Sequence, residues 1–167
     1  MRSLNAEALT EKIFSPYGVF YDLRAEGTAG EVIRSVGEGY SDGFTKQPLI
    51  DRPGSLGLTC ASAVPYTVEK MERHLHSREA MMCAGEPIAF LAAPACDDAP
   101  EEADVRAFLL EPGQVVVLER GIWHSPAFGI QGPAAYYWMA EAYEGEPTVW
   151  KAIKGGPVRL NDSLSEE

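Results

Sequence analysis

The chain is short of basic charge. It has 14 Lys and Arg against 25 Asp and Glu, a formal net charge of −11. Nucleic acids and anionic membrane surfaces are bound through an excess of Lys and Arg, so neither is an expected partner. No apolar run approaches the roughly 20 residues that a membrane-spanning helix needs. Met1 to Glu7 meets acidic residues before any apolar run and does not read as a secretory signal. Cysteine is scarce too: Cys60, Cys83 and Cys96 are odd in number and none has C-x-x-C spacing. That excludes a disulfide framework and a thiolate zinc site, and it points to a reducing, cytoplasmic setting. The glycine clusters at 27–30, 37–39 and 155–157 lack a following Gly-Lys-Ser/Thr and any strand-to-helix context, so they read as turns rather than phosphate loops. Ser77 and Ser125 neighbour histidines but lie in no nucleophile-elbow pattern.

Glycine and proline, by contrast, are plentiful, at 16 and 12 in 167 residues. They recur about every 8–12 residues, which suits an all-β sandwich or barrel. The length fits one domain, 1–167, with a core over about 14–153 and a frayed polar tail over 160–167. Residues 5–14 predict a short helix with Leu9, Ile13 and Phe14 on one side, Asn5 or Thr10 as its cap and Ser15-Pro16-Tyr17-Gly18 as its stop. Strands are expected near 19–24, 31–36, 55–63, 66–76, 79–83, 87–92, 104–110, 114–119, 122–128, 134–143 and 148–153. The run 134–139 is aromatic and apolar and reads as covered on both faces, and the acidic stretch 97–104 reads as a solvated loop.

All three histidines fall in two short pieces, Glu72-Arg73-His74-Leu75-His76-Ser77-Arg78-Glu79 and Gly113 to His124. In a strand, residues i and i+2 share a face, so His74 and His76 are expected side by side, with Glu79 folding back after the Ser77-Arg78 break. With His124 these form three imidazoles and a carboxylate, a donor set for a divalent first-row ion (Mn, Fe, Co, Ni or Zn) with positions left for water or substrate. His124 beside Trp123 also suits a general acid or base without metal.

The two pieces resemble the paired motifs of the cupin superfamily, small β-barrels of jelly-roll type. Gly113, Gly121 and His124 keep the second motif's spacing, with Glu119 where the family has Pro. In the first motif only two residues separate His76 from Glu79, against the family's three or four. A narrower resemblance spans about 110 residues, the order-of-magnitude reach of one domain. Phe14-Ser15-Pro16-Tyr17-Gly18, Met71-Glu72-Arg73-His74, Val105-Arg106-Ala107-Phe108 and Gly121-Ile122-Trp123-His124-Ser125-Pro126 resemble ureidoglycolate lyases, formerly called hydrolases. His76 and Glu79 depart from that family's pattern and give a fuller metal set.

The resemblance implies a cupin-like double-stranded β-helix barrel. It also implies release of glyoxylate and urea from ureidoglycolate, a late step of purine (allantoin) breakdown, by a protein that is often a homodimer. The ion would sit on His74, His76, His124 and Glu79 and bind the carboxylate and hydroxyl of a small anionic substrate. Arg73, Arg78 and Arg120 flank the ligands. Alternation turns Arg73 away and puts Arg120 on the face of His124, so Arg120 is the expected carboxylate clamp. Glu72, on the face of His74 and His76, or a tyrosine, with Tyr137 as the candidate, would handle protons. Tyr136 and Trp138 share the other face of that strand. Two alternatives stay open: a metal-dependent sugar or sugar-acid isomerase, and a non-enzymatic small-ligand-binding cupin.

Overall fold

The computed structural model describes residues 1–25, 32–141 and 148–164. The chain opens with β1 (Arg2–Ala8), a single-turn helix α1 (Glu11–Phe14) and β2 (Gly18–Asp22). A hairpin follows, β3 (Val32–Gly37) and β4 (Tyr40–Thr45), and then β5 (Gly54–Ala61), β6 (Tyr66–Val68) and β7 (Lys70–Arg73). The middle holds β8 (Glu79–Cys83), β9 (Ile88–Ala93), β10 (Arg106–Leu110), β11 (Gln114–Leu118), β12 (Trp123–His124) and β13 (Phe128–Gly129). The last strands are β14 (Ala134–Glu141), β15 (Val149–Ala152) and β16 (Val158–Leu164).

Two sheets make the body. The larger runs β15-β7-β12-β9-β10-β1-β16-β6, with β13 also on β9; the smaller runs β2-β11-β8-β14-β5. The core lies where they face each other. Ile88, Phe90 and Ala92 of β9 point into this space with Phe14, Phe108, Leu110, Val116 and Leu118. The alternate residues Ala89, Leu91 and Ala93 pack on the other face with Met71, Val105 and Trp123. All six residues of β9 are buried, which explains its continuous apolar run where a half-exposed strand would alternate. Rings of Phe14, Phe90 and Phe108 meet edge-on or tilted at centroid distances of 5.6–6.3 Å, geometries that aromatic quadrupoles favour.

The N-terminus departs from the expected helix over 5–14. Only Glu11–Phe14 are helical, capped by the Thr10 hydroxyl, which accepts from Ile13 N–H at 3.1 Å. Residues 2–8 form a strand instead, parallel to both β10 and β16. A lone turn or two of helix is marginal in water, whereas β1 gains two neighbours and a bidentate Glu7–Arg106 pair at 2.7 and 2.8 Å. The same pairing orders Val158–Leu164, where the sequence pointed to a frayed tail; 165–167 lie outside the described residues, as does the glycine cluster at 27–30. The strand over 134–141 is covered on its inner face and in part on its outer one, where Met139 packs with Ala80, Val115 and Val117. Tyr136 is buried, while Tyr137 opens to solvent beside Leu58 of the edge strand β5.

Candidate active site

The site forms where β7, β8 and β12 converge. Glu72 and His124 sit directly opposite each other on the antiparallel strands β7 and β12, so their side chains leave the same face of the large sheet. Glu79 begins β8 of the small sheet, between Leu118 and Ala140. His74 follows the last residue of β7. The position of His124 depends on a reverse turn. Ile122 N–H donates to Glu119 C=O at 3.2 Å, and Gly121 takes φ +82° at the turn's third position, which an L side chain rarely occupies. The glycine spacing legible in the sequence is thus the spacing of a turn that aims β12.

One ligand atom from each of Glu72, His74, Glu79 and His124 lies within 4.8 Å of the others. His124 Nε2 is 2.6 Å from Glu79 Oε2 and 3.5 Å from Glu72 Oε1; His74 Nε2 is 3.7 Å from Glu79 Oε2. The Nε2 atoms of both histidines are buried, and neither has a well-aligned hydrogen bond, despite the nearness of the carboxylates. Nδ1 of His124 lies 3.1 Å from the Ile122 carbonyl oxygen. A carbonyl only accepts, so Nδ1 carries the proton and Nε2 faces the carboxylates. That backbone partner is the outer support typical of metal-bound histidine.

Two carboxylates and two neutral imidazoles leave the cluster with excess negative charge that calls for a cation. Without an ion His124 meets part of this demand. Burial alone would disfavour imidazolium at His124, but Glu79 and then Glu72 outweigh it and raise its pKa. Burial would likewise raise Glu79, yet the facing imidazoles, His124 foremost, hold its carboxyl below the ordinary range. Donors bound at about 2.1 Å to one ion are at most about 4.2 Å apart, so this set closes on a cation with small side-chain rotations. These four residues can hold a metal ion.

The cluster opens into a cavity of about 440 Å³. His76, Tyr136 and Glu141 line it together with the cluster residues Glu72, His74 and Glu79, and Trp138 and Trp150 form aromatic walls. No Lys or Arg is among the described lining residues.

Several expected site residues stand elsewhere than strand alternation put them. The strand ends at Arg73 and a bend covers 75–76, so His76 is not beside His74 on one strand face. Its ring is 6.3 Å from that of His74, on the cavity wall, and it is outside the four-donor set. Glu79 is inside that set, although its spacing departs from the cupin motif. Tyr137 is 39% exposed on the outer face; the cavity tyrosine is Tyr136, because strand period two puts its neighbour on the opposite side. Arg120 is not free to clamp a substrate: its guanidinium donates to Asp51, Glu141 and the His76 carbonyl. The turn at 120–121 breaks the alternation that had pointed it into the pocket. Arg73 donates to the Cys96 carbonyl and lies 4.5 Å over the Trp123 ring, and Arg78 pairs with Glu119. Thr148, Trp150 and Glu141 were not found from sequence; a lone Glu ending an apolar strand was the one available signal.

Comparison with known proteins decides the family. Residues 1–153 match the ureidoglycolate lyase family. The chain belongs to that family. A ureidoglycolate lyase of Pseudomonas syringae pv. tomato is 31% identical over 139 residues, covering 78% of each chain. One from Pseudomonas fluorescens is 30% identical over 139 residues, covering 78% of this chain and 80% of the relative. Among solved structures, a 4-keto-6-deoxy sugar epimerase from Streptomyces spheroides superposes with a TM-score of 0.51 at 11% identity, over 75% of this chain and 67% of that one. A dTDP sugar isomerase from Desulfovibrio desulfuricans gives 0.52 at 9% identity, over 75% and 83%. At such identity the likeness concerns the fold alone, and the fold of this member of the ureidoglycolate lyase family is the cupin-like jelly roll. Among the described residues, no helix is long and apolar enough to cross a membrane.

Proposed function

We propose that the protein is a lyase that splits ureidoglycolate into glyoxylate and urea in the cavity beside Glu72, His74, Glu79 and His124. Family membership supports the reaction, and the observation that carries the chemistry is the convergence of these four donors at one end of a small cavity. His74, Glu79 and His124 would hold a divalent ion (Mn, Fe, Co, Ni or Zn), since three protein donors with open positions are the usual catalytic arrangement. Such an ion supplies Lewis acidity, neutralising the substrate carboxylate and making the adjacent hydroxyl more acidic.

The remaining work falls to the chain's own groups. Glu72 accepts the hydroxyl proton. The C–O bond becomes a carbonyl, the C–N bond breaks, and its electron pair leaves on the urea nitrogen. Tyr136 donates the proton that this nitrogen needs. Its oxygen already accepts from the Ala127 N–H at 3.3 Å, which leaves its own O–H to donate. Burial raises its pKa, which keeps that proton in place at neutral pH. Trp138 and Trp150 give the cavity apolar walls beside the polar cluster.

This reading puts the protein late in purine (allantoin) breakdown, acting on a small anion rather than on nucleic acid or membrane. A cytoplasmic site goes with its three free cysteines. A homodimer is supported by the exposed Leu56, Leu58 and Tyr137 on adjoining strands of the small sheet. The whole length, 1–167, is read as one domain.

The test is direct. Purified protein loaded in turn with Mn, Fe, Co, Ni and Zn is mixed with ureidoglycolate, and urea and glyoxylate are measured. Equal release of both products by at least one metal form is expected. No release above the spontaneous rate with any of the five sinks the reading.

A further inference from the structure

We propose that Arg120 is a positioning residue: it fixes the His74–Ser77 bend and neutralises the Glu141 carboxylate in the cavity wall, without touching substrate. The proposal rests on the lyase reading for its kinetic consequence and on the contacts of Arg120 for the rest.

The contacts around Arg120 are made by one planar group. Its Nε donates to the His76 carbonyl at 3.0 Å. Nη2 donates to Asp51 Oδ1 at 2.9 Å and to Glu141 Oε1, and Nη1 to Asp51 Oδ2 at 3.4 Å. An arginine fork can serve three acceptors in fixed directions, which a lysine cannot match. The neighbouring backbone ties down the same bend. Gly121 N–H donates to the His74 carbonyl at 2.8 Å, and Glu141 N–H donates to the Ser77 hydroxyl at 2.7 Å. The segment carrying His74 and His76 is thus held at both ends by the 120–121 turn and the end of β14.

Charge gives this arrangement its functional side. Glu72, Glu79 and Glu141 all line the cavity, and no Lys or Arg does among the described residues. The Glu141 side chain is 4% exposed, too buried to be screened by water. Without Arg120, Glu141 becomes an uncompensated negative charge in the wall of a cavity that must admit an anion. The bend would also lose its link at His76. Both effects oppose substrate entry, and neither removes a ligand from the four-donor cluster.

The experiment is a double-mutant cycle of R120M and E141Q in the full chain, read by metal content, melting temperature and urea-release kinetics. R120M is expected to keep its metal, to melt lower, and to raise KM roughly tenfold, a coupling size usual for contacting neighbours, with a smaller fall in kcat. R120M/E141Q is expected to regain most of the KM and of the melting temperature, because the buried carboxylate is gone and the one still without its arginine, Asp51, is 48% exposed and solvated by water. If the double variant binds substrate no better than R120M, Arg120 acts on substrate directly and the proposal is overturned. If the wild type releases no urea, the lyase reading fails on its own. The melting temperatures then decide for Arg120: recovery in the double variant upholds its positioning role, and strictly additive losses overturn it.

Discussion

His124 and Glu72 face each other as cross-strand neighbours, with His124 Nε2 3.5 Å from Glu72 Oε1 and 2.6 Å from Glu79 Oε2. Two strands of one sheet and the first residue of a strand in the other thereby bring an imidazole between two carboxylates. The arrangement leaves a buried nitrogen lone pair pointing at negative charge, which is stable only with a cation or a proton between them.

The first prediction concerns this donor set. His124→Ala and Glu79→Gln should each lose tight metal binding, measured by metal content after dialysis, and urea release should fall with it. His76→Asn should retain metal, because His76 stands on the cavity wall outside the four donors. Metal at about 100 times its dissociation constant should stabilise the wild type by about 2.7 kcal/mol, seen as a rise in melting temperature. His124→Ala should show no such rise. Unchanged turnover in a folded, metal-free His124→Ala protein would count against the site.

Adjacent tyrosines give the second prediction. Tyr136→Phe should lower kcat by about 10²- to 10⁴-fold, the usual contribution of a positioned proton donor. Tyr137→Phe should leave kcat within about twofold, since surface changes seldom exceed ±0.5 kcal/mol. A larger loss in Tyr137→Phe than in Tyr136→Phe would reverse the assignment of faces along β14.

Thiol reactivity supplies a pH test. Burial raises the Cys83 thiol to about 11, and its Sγ donates to the Leu110 carbonyl at 3.2 Å. The thiolate is the reactive form, so labelling of Cys83 at pH 8 should lag far behind Cys60 and Cys96, which are exposed. The sign is fixed by the upward shift: Cys83 labelling should accelerate with rising pH toward about 11 in folded protein. Peptide mapping after timed alkylation reads all three sites. Equal rates at pH 8 would contradict the burial of Cys83.

Much of the architecture was legible because its signals are local. Dense Gly and Pro, β-branched runs such as Gln114–Leu118 and the Gly113–Gly121–His124 spacing report turns and strands within a few residues of themselves. What escaped was set by partners distant in the chain. Residues 2–8 have a helix-compatible composition, yet β10 and β16, more than 90 residues away, turn them into a strand. At the site, alternation grouped Glu72 with His74, and both stand in the four-donor cluster, whereas the pairing of Glu72 with His124 across β7 and β12 was not legible. Alternation failed for His76 and Arg120, which sit in a bend and a turn where period two no longer holds. Tyr136 and Tyr137 show a third case: the strand was evident, but which of its faces meets the cavity depends on β8 and β5 beside it.

Because Glu79 belongs to the small sheet while Glu72 and His124 belong to the large one, an ion at their meeting point would act as a rivet between the two walls of the barrel. Chelation would then do more than silence a reaction. It would release the seam, and backbone amides of β7, β8 and β12 would exchange with deuterium sooner than those of β9 and β10 deep in the same body.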